Sequence, residues 1–169
     1  YLNSGGARAT EAAVTLGLEN WWPWGVIHGD FDLNGYQDYF VAAGMGWPWD
    51  YSPNFFYLNH GGNGFTEAAV ATGLEPRVGG NYIEGMDRKW AKASRSAAAL
   101  DGDNNGTLDI VLQNWNDHAT LFRSAVPEGR HWVGFRLRGT SVNRDAVGAR
   151  VLLTSDLGTQ VQIVDNSCG

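Results

Sequence analysis

A single cysteine, Cys168, leaves no disulfide to form within these 169 residues, so a reduced and an oxidising compartment are equally open. Long apolar runs are missing: nothing approaches the ~20 residues a membrane-spanning helix needs, which argues against a membrane span. Basic residues are scarce, 12 Lys and Arg against 18 Asp and Glu, for a net charge of −6. Phosphate binding needs clustered Lys and Arg, so nucleic acid is not an expected partner, whereas an acidic chain suits cations. The usual catalytic motifs are also lacking. His28, His60, His118 and His131 show no metal spacing of the His-Glu-x-x-His kind and read as surface or turn residues. No Gly-x-Ser-x-Gly elbow occurs, and Asp117-His118 has no nucleophile beside it. Arg144-Asp145 reads as a structural ion pair or turn, and Cys168 has no His partner motif. Catalytic residues are therefore not expected, and the chain is not read as an enzyme. It begins at Tyr1, without initiator Met or signal peptide, and reads as a processed or excised piece of something longer.

Glycine and tryptophan are abundant instead, with 23 Gly and 8 Trp. Gly at that level without a collagen period means many tight turns, and many turns imply many short strands. The runs Asp38 to Ala42 and Asp109 to Gln113 are β-branched or aromatic and bounded by turn residues. Val133 to Arg138 alternates apolar and polar residues, as a half-buried strand does. Ala149 to Leu153 and Thr159 to Val164 read as strands joined by a turn at Asp156-Leu157-Gly158, and Ala91 to Leu100 as a short helix.

The chain repeats itself. Tyr1-Leu2-Asn3-Ser4-Gly5-Gly6 returns as Tyr57-Leu58-Asn59-His60-Gly61-Gly62, Thr10 to Val14 returns as Thr66 to Val70, and Gly17-Leu18-Glu19 as Gly73-Leu74-Glu75. All three matches share an offset of 56 residues. A second echo, Gly29 to Asp38 against Leu100 to Asp109, has an offset of 71. The second unit thus carries 15 extra residues, within roughly Pro76–Ser96, where Arg77, Arg88, Lys89, Lys92 and Arg95 gather. Insertions of this kind are usually solvated surface loops; a partner-binding loop is the alternative.

Both echoing loops have the form Asp-x-Asp-x-Asn-Gly-x-x-Asp. A hard cation such as calcium takes roughly six to eight oxygens at about 2.3–2.6 Å. In a tightly curled loop the side chains at positions 1, 3 and 5 can point at one centre. Gly at position 6 permits the turn, position 7 offers a carbonyl, and Asp at position 9 closes the shell. The expected ligands are Asp30, Asp32, Asn34, the carbonyl of Tyr36, and Asp38 in the first loop. In the second they are Asp101, Asp103, Asn105, the carbonyl of Thr107, and Asp109. An EF-hand would place Glu at position 12, but Val41 and Leu112 stand there, so that motif is excluded. Hairpin turns without metal would also favour these residue types. Three carboxylates crowded into nine residues, twice over, would repel one another without a cation, so two calcium sites are expected. Magnesium is less apt because it demands strict octahedral geometry.

These loops resemble the calcium loops of FG-GAP/VCBS repeats, the blades of integrin-α-type β-propellers. The Tyr-Leu-Asn-x-Gly-Gly frame, with Phe65-Thr66-Glu67 and Gly73-Leu74, is similar to the connection between such blades. His131 to Leu137 and Asn143 to Val151 resemble the opening of an ASPIC/UnbV domain, which follows such repeats in cartilage-acidic-protein-like secreted proteins. The resemblance implies an all-β fold of propeller-type blades followed by a β-rich ASPIC/UnbV-like segment. Residues 1–127 would form about two blades and 128–169 the incomplete second segment. A closed propeller has roughly four to eight blades, so the ring would be incomplete and its strand edges open to self-association. The resemblance further implies a secreted or cell-surface calcium-binding module for adhesion, protein–protein interaction or self-assembly, whose partner is an extracellular protein or glycan. The alternative is a lectin or the non-catalytic part of a secreted enzyme. Trp21-Trp22-Pro23-Trp24 and Trp47-Pro48-Trp49-Asp50-Tyr51 flank the first loop. Indoles stack on sugars, but packing between blades or at an interface is the commoner use.

Overall fold

The structure, a computed structural model, describes residues 2–3, 5–44, 53–75, 94–115, 118–141, 143–156 and 158–164. The loop around Trp47, Trp49 and Tyr51, most of the basic insertion, Asp117 and Cys168 lie outside the described residues. In chain order the elements begin with β1 (Leu2–Asn3), β2 (Ala9–Thr10) and a single helical turn, α1 (Ala13–Leu16). They continue with β3 (Pro23–Gly29), β4 (Asp38–Ala43), β5 (Phe55–Asn59) and β6 (Phe65–Glu67). After the insertion come β7 (Ser94–Leu100), β8 (Asp109–Asn114), β9 (Thr120–Phe122), β10 (Arg150–Ser155) and β11 (Gly158–Ile163).

The strands form antiparallel sheets: β1-β2, the meander β3-β4-β5-β6, the meander β7-β8-β9, and β10-β11. Among the described residues the chain is thus all-β apart from α1, and no sheet closes on itself. The sequence repeat is also a repeat of strand register. Leu2↔Thr10 and Asn3↔Ala9 in the first hairpin recur as Leu58↔Thr66 and Asn59↔Phe65. Gly29↔Asp38 and Val26↔Val41 recur as Leu100↔Asp109 and Ala97↔Leu112, and the irregularity between Pro23 and Gly25 recurs between Ser94 and Ser96.

The two meanders share one core. Phe40, Ala42 and Phe56 from the first sheet, with Phe31, Ala68, Ala69 and Leu74, meet Ile110 and Leu112 from the second, and Ile27, Ala97, Ala99 and Phe122 pack around them. Phe31 and Phe56 meet edge to face, with centroids 5.5 Å apart. Glycine makes the closest approach possible: a Cβ on Gly25 would fall 3.1 Å from the Cα of Ser96 and 3.2 Å from the carbonyl oxygen of Arg95.

Two expectations need correction. Residues 94–100 form strand β7, not the C-terminal part of a helix; residues 91–93 lie outside the description. Alanine favours a helix in isolation, but pairing with β8 and the close approach to β3 reward small side chains and override that preference. The alternating stretch Val133 to Arg138 is not a strand. Alternation shows only that a segment could lie on a half-buried surface. Here Val133 and Phe135 stay more than half exposed, and no described strand pairs with the segment. The C-terminal hairpin is as expected, with Leu152 opposite Val161 and Leu153 opposite Gln160.

Candidate metal centre

Each Asp-x-Asp-x-Asn-Gly-x-x-Asp loop joins the first two strands of a meander, β3 to β4 and β7 to β8, so both are carried by the same end of paired strands. In the first loop Asp30 accepts hydrogen bonds from the amides of Asn34 (2.9 Å) and Gly35 (2.8 Å), and Asp32 accepts one from Asn34 (3.0 Å). The Asn34 side-chain oxygen accepts from the Tyr36 amide, while its nitrogen donates to Asp32 and to the carbonyl of Asn59 (2.9 Å). Asp38 is fully buried and ties loop to sheet, accepting from the amides of Phe31 (2.9 Å) and Asn59 (2.8 Å). The turn passes through positive φ at Leu33 (55°) and Gly35 (95°), the second being the position where the pattern places glycine.

The second loop repeats the scheme almost bond for bond. Asp101 accepts from the Asn105 and Gly106 amides, Asp103 from Asn105, and Asn105 from Thr107. Asn105 donates to the Ser124 carbonyl, and Asp109 accepts from the Ser124 and Gly102 amides. Positive φ recurs at Asn104 (58°) and Gly106 (89°). Such local side-chain-to-backbone bonds are those by which Asp and Asn shape a turn.

The loops differ where charge is concerned. Asp30, Asp32 and Asp38 each place a carboxylate oxygen within 4.8 Å of the others. That spacing is what oxygens about 2.4 Å from a common cation can span, and the donor set is all hard oxygen, so the residues present fit calcium. Among the described residues this is the one such acidic group, and no histidine joins one. In the second loop Asp103 is instead paired with the Arg123 guanidinium, which supplies a positive charge from β9's C-terminal side. Burial, above all, pushes the Asp38 carboxyl up to about 6; the Asn59 and Phe31 amides oppose this, and the charges of Asp32 and Asp30 add to it. Burial raises Asp30 too, with Asp32 adding and Arg130 opposing. At neutral pH the first loop therefore holds negative charge against a penalty that a cation would relieve.

The structure brings Asp30, Asp32 and Asp38 together, and commits the side chain of Asn34 to the loop's own bonds and to the carbonyl of Asn59. Tyr36 lays its ring against Gly61, where a Cβ would fall 2.6 Å from it. Several neighbours escaped the sequence reading. Asn59, at the end of β5, and Ser124, just beyond β9, clamp the two loops, and a signal existed for Asn59, which ends the repeated Tyr-Leu-Asn frame. Arg123, Arg130, Trp132 against Gly106, and Gln160 beside Gly35 come from later segments and left no local signal. His28 and His60 are exposed and bonded to Gln37 and Thr66. Trp21, Trp22 and Trp24 are at least half exposed, and Arg95 stacks over the Trp24 ring at 4.5 Å. No helix among the described residues is long and apolar enough to cross a membrane. In comparisons with known proteins the chain matches no family model, and no curated protein is significantly similar to it.

Proposed function

We propose that this chain is a calcium-binding module of FG-GAP/VCBS-like β-blades that serves adhesion or protein–protein interaction outside the cell, rather than catalysis. The observation that carries the reading is the repeated loop: two Asp-x-Asp-x-Asn-Gly-x-x-Asp turns with matching hydrogen bonds, one gathering three carboxylates within 4.8 Å. In this reading Asp30, Asp32 and Asp38 hold the first ion, and Asp101, Asp103 and Asp109 the second. Calcium supplies positive charge that fixes the turns, and the chain's own residues orient the oxygens through the Asn34 and Asn105 clasps. The four-stranded meander and its three-stranded neighbour are the expected form of propeller blades, and the stretch 128–169 is the ASPIC/UnbV-like segment. Isothermal calorimetry on the folded chain is expected to show calcium binding with Kd on the order of 10⁻⁴–10⁻³ M, the range of extracellular modules. The first loop should bind more tightly, because Arg123 competes for Asp103 in the second. Absence of binding at millimolar calcium would overturn the proposal.

A second reading, sugar binding, is favoured by the exposed indoles at the other end of the sheets. Trp24 and Trp115 flank Arg95 there, with the guanidinium 4.5 and 6.0 Å from the two ring centroids. Glycan-array binding that survives EDTA and is lost in Trp24→Ala would support that reading; no binding in either condition would sink it.

A further inference from the structure

We infer that Trp24, Arg95 and Trp115 form a binding site for an acidic saccharide, the guanidinium taking a carboxylate and the indoles the sugar ring. The inference rests on the sugar-binding reading of this end of the sheets and deepens it by naming the charge of the ligand.

Two equivalent irregularities build the site. Pro23 and Gly25 pair with Ala43 and Ala42, consecutive residues of β4, so Trp24 is an extra residue that stands opposite none. Ser94 and Ser96 pair with Asn114 and Gln113 in the same way, so Arg95 is the extra residue of β7. The two positions are 71 residues apart, the offset that relates the two meanders. A bulge re-aims its extra side chain out of the regular alternation of a strand. A Cβ on Gly25 would fall 3.2 Å from the Arg95 carbonyl oxygen, so the missing side chain lets the two bulges lie side by side. Equivalent bulges thus deliver unlike side chains to one place. The Arg95 guanidinium lies 4.5 Å from the Trp24 ring centroid and 6.0 Å from that of Trp115.

One carbonyl fixes the arrangement. The Gly44 oxygen accepts from Trp24 Nε1 (2.6 Å) and from Arg95 Nη1 (2.9 Å), and the Gly44 amide donates to the Trp22 carbonyl (3.3 Å). Arg95 Nη1 also donates to the Ser94 carbonyl, at 3.2 Å. Ring and guanidinium are therefore in place before a ligand arrives, which lowers the ordering cost of binding.

What the cluster leaves unused points to the ligand. Among the described residues no carboxylate pairs with Arg95, and its hydrogen bonds leave from Nη1 alone, so Nε and Nη2 keep donors for an incoming acceptor. Burial pushes its pKa down, as for a cation partly withdrawn from water with no anion beside it. Trp24 stays 54% exposed and Trp115 43% exposed, with the guanidinium beside both. An indole face suits the C–H side of a pyranose, and a guanidinium fork matches the two oxygens of a carboxylate. A neutral sugar would leave the guanidinium unanswered, and a plain polyanion would make no use of the indoles. A sugar acid satisfies both.

The test is calorimetric titration of the folded chain in EDTA, since uronates themselves chelate calcium. The probes are a galacturonic acid hexamer and a hyaluronan hexasaccharide, each beside its methyl ester, which keeps the rings and removes the charge, with polyglutamate as a charge-only control. At least one acid probe should bind. Esterification should weaken it about tenfold or more, and so should Arg95→Gln, the loss of one charge-assisted pair. Arg95→Lys should recover little of the loss, because an ammonium has no fork. Both variants should keep the wild-type circular dichroism, and the comparison of acid with ester needs no variant at all. Equal binding of acid and ester would overturn this inference and leave the sugar reading standing. Full affinity in Arg95→Gln, or equal affinity for polyglutamate, would overturn it too. No binding of any saccharide would sink both.

Discussion

Asp38→Ala is expected to remove roughly 2–6 kcal/mol of folding stability, with calcium present or absent, because it orphans two amides at about 1–3 kcal/mol each. The Asp38 side chain is fully buried, and both its oxygens are occupied, one by the Phe31 amide and one by the Asn59 amide. The first bond closes the loop and the second ties it to β5, so alanine leaves both donors unanswered where water has little access. A loss at the upper end would unfold the least stable natural domains, whose stability starts at roughly 5 kcal/mol. Asp38→Asn should cost less, since one acceptor oxygen remains. Asp109→Ala should behave like Asp38→Ala, because Asp109 makes the corresponding bonds to Gly102 and Ser124. Urea unfolding in EDTA checks the claim. A loss below about 1 kcal/mol for Asp38→Ala would show that these bonds contribute no more than an average exposed one.

Removing calcium should lower Tm, and unequally at the two loops. With free ion at about ten times Kd, each site adds about 1.4 kcal/mol by mass action, which for a chain of this size is roughly 3–6 °C. Asp32→Ala should abolish most of the first loop's share. Asp103→Ala should abolish less, because Asp103 already has a cation in Arg123. Arg123→Ala should then enlarge the EDTA effect, by exposing Asp103 to its neighbours and freeing it for the ion. The set of melting curves in calcium and EDTA distinguishes this from a general surface-charge effect, which would treat both loops alike. An unchanged curve for the parent chain in EDTA would mean that the loops are turns only.

The parts of the fold legible in the sequence are those whose causes are local. An Asp-x-Asp-x-Asn-Gly turn is specified by side chains bonding to amides two to five residues away, and both loops fold accordingly. The hairpin at 150–163 and strands β4 and β8 were legible from β-branched runs bounded by turn residues. What failed had distant causes. Strand β7 is rich in alanine because β3 passes close to it at Gly25, a contact across about seventy positions that no local window contains. Val133 to Arg138 has the strand pattern, but a pattern does not create a partner. The difference between the loops was likewise hidden. Arg123 lies 20 residues beyond Asp103 and reaches it only because β9 folds back along β8.

The loop clasps also bear on the chemical ageing of the chain. Asn34-Gly35 and Asn105-Gly106 are Asn-Gly pairs, where the glycine nitrogen can attack the asparagine carboxamide carbon and expel ammonia to close a succinimide, which water then opens to an aspartyl or isoaspartyl residue. In the folded protein the Gly35 and Gly106 amides are bound to Asp30 and Asp101, and the two carboxamides are held by the Asn59 and Ser124 carbonyls. The nucleophile and its target are each engaged elsewhere, so the native fold shields the bonds that an unfolded chain would lose first. Were Asn34 converted, its donor nitrogen would become an oxygen facing the Asn59 carbonyl and the Asp32 carboxylate, and the clasp would open from within. The lifetime of each turn is thus tied to its remaining folded.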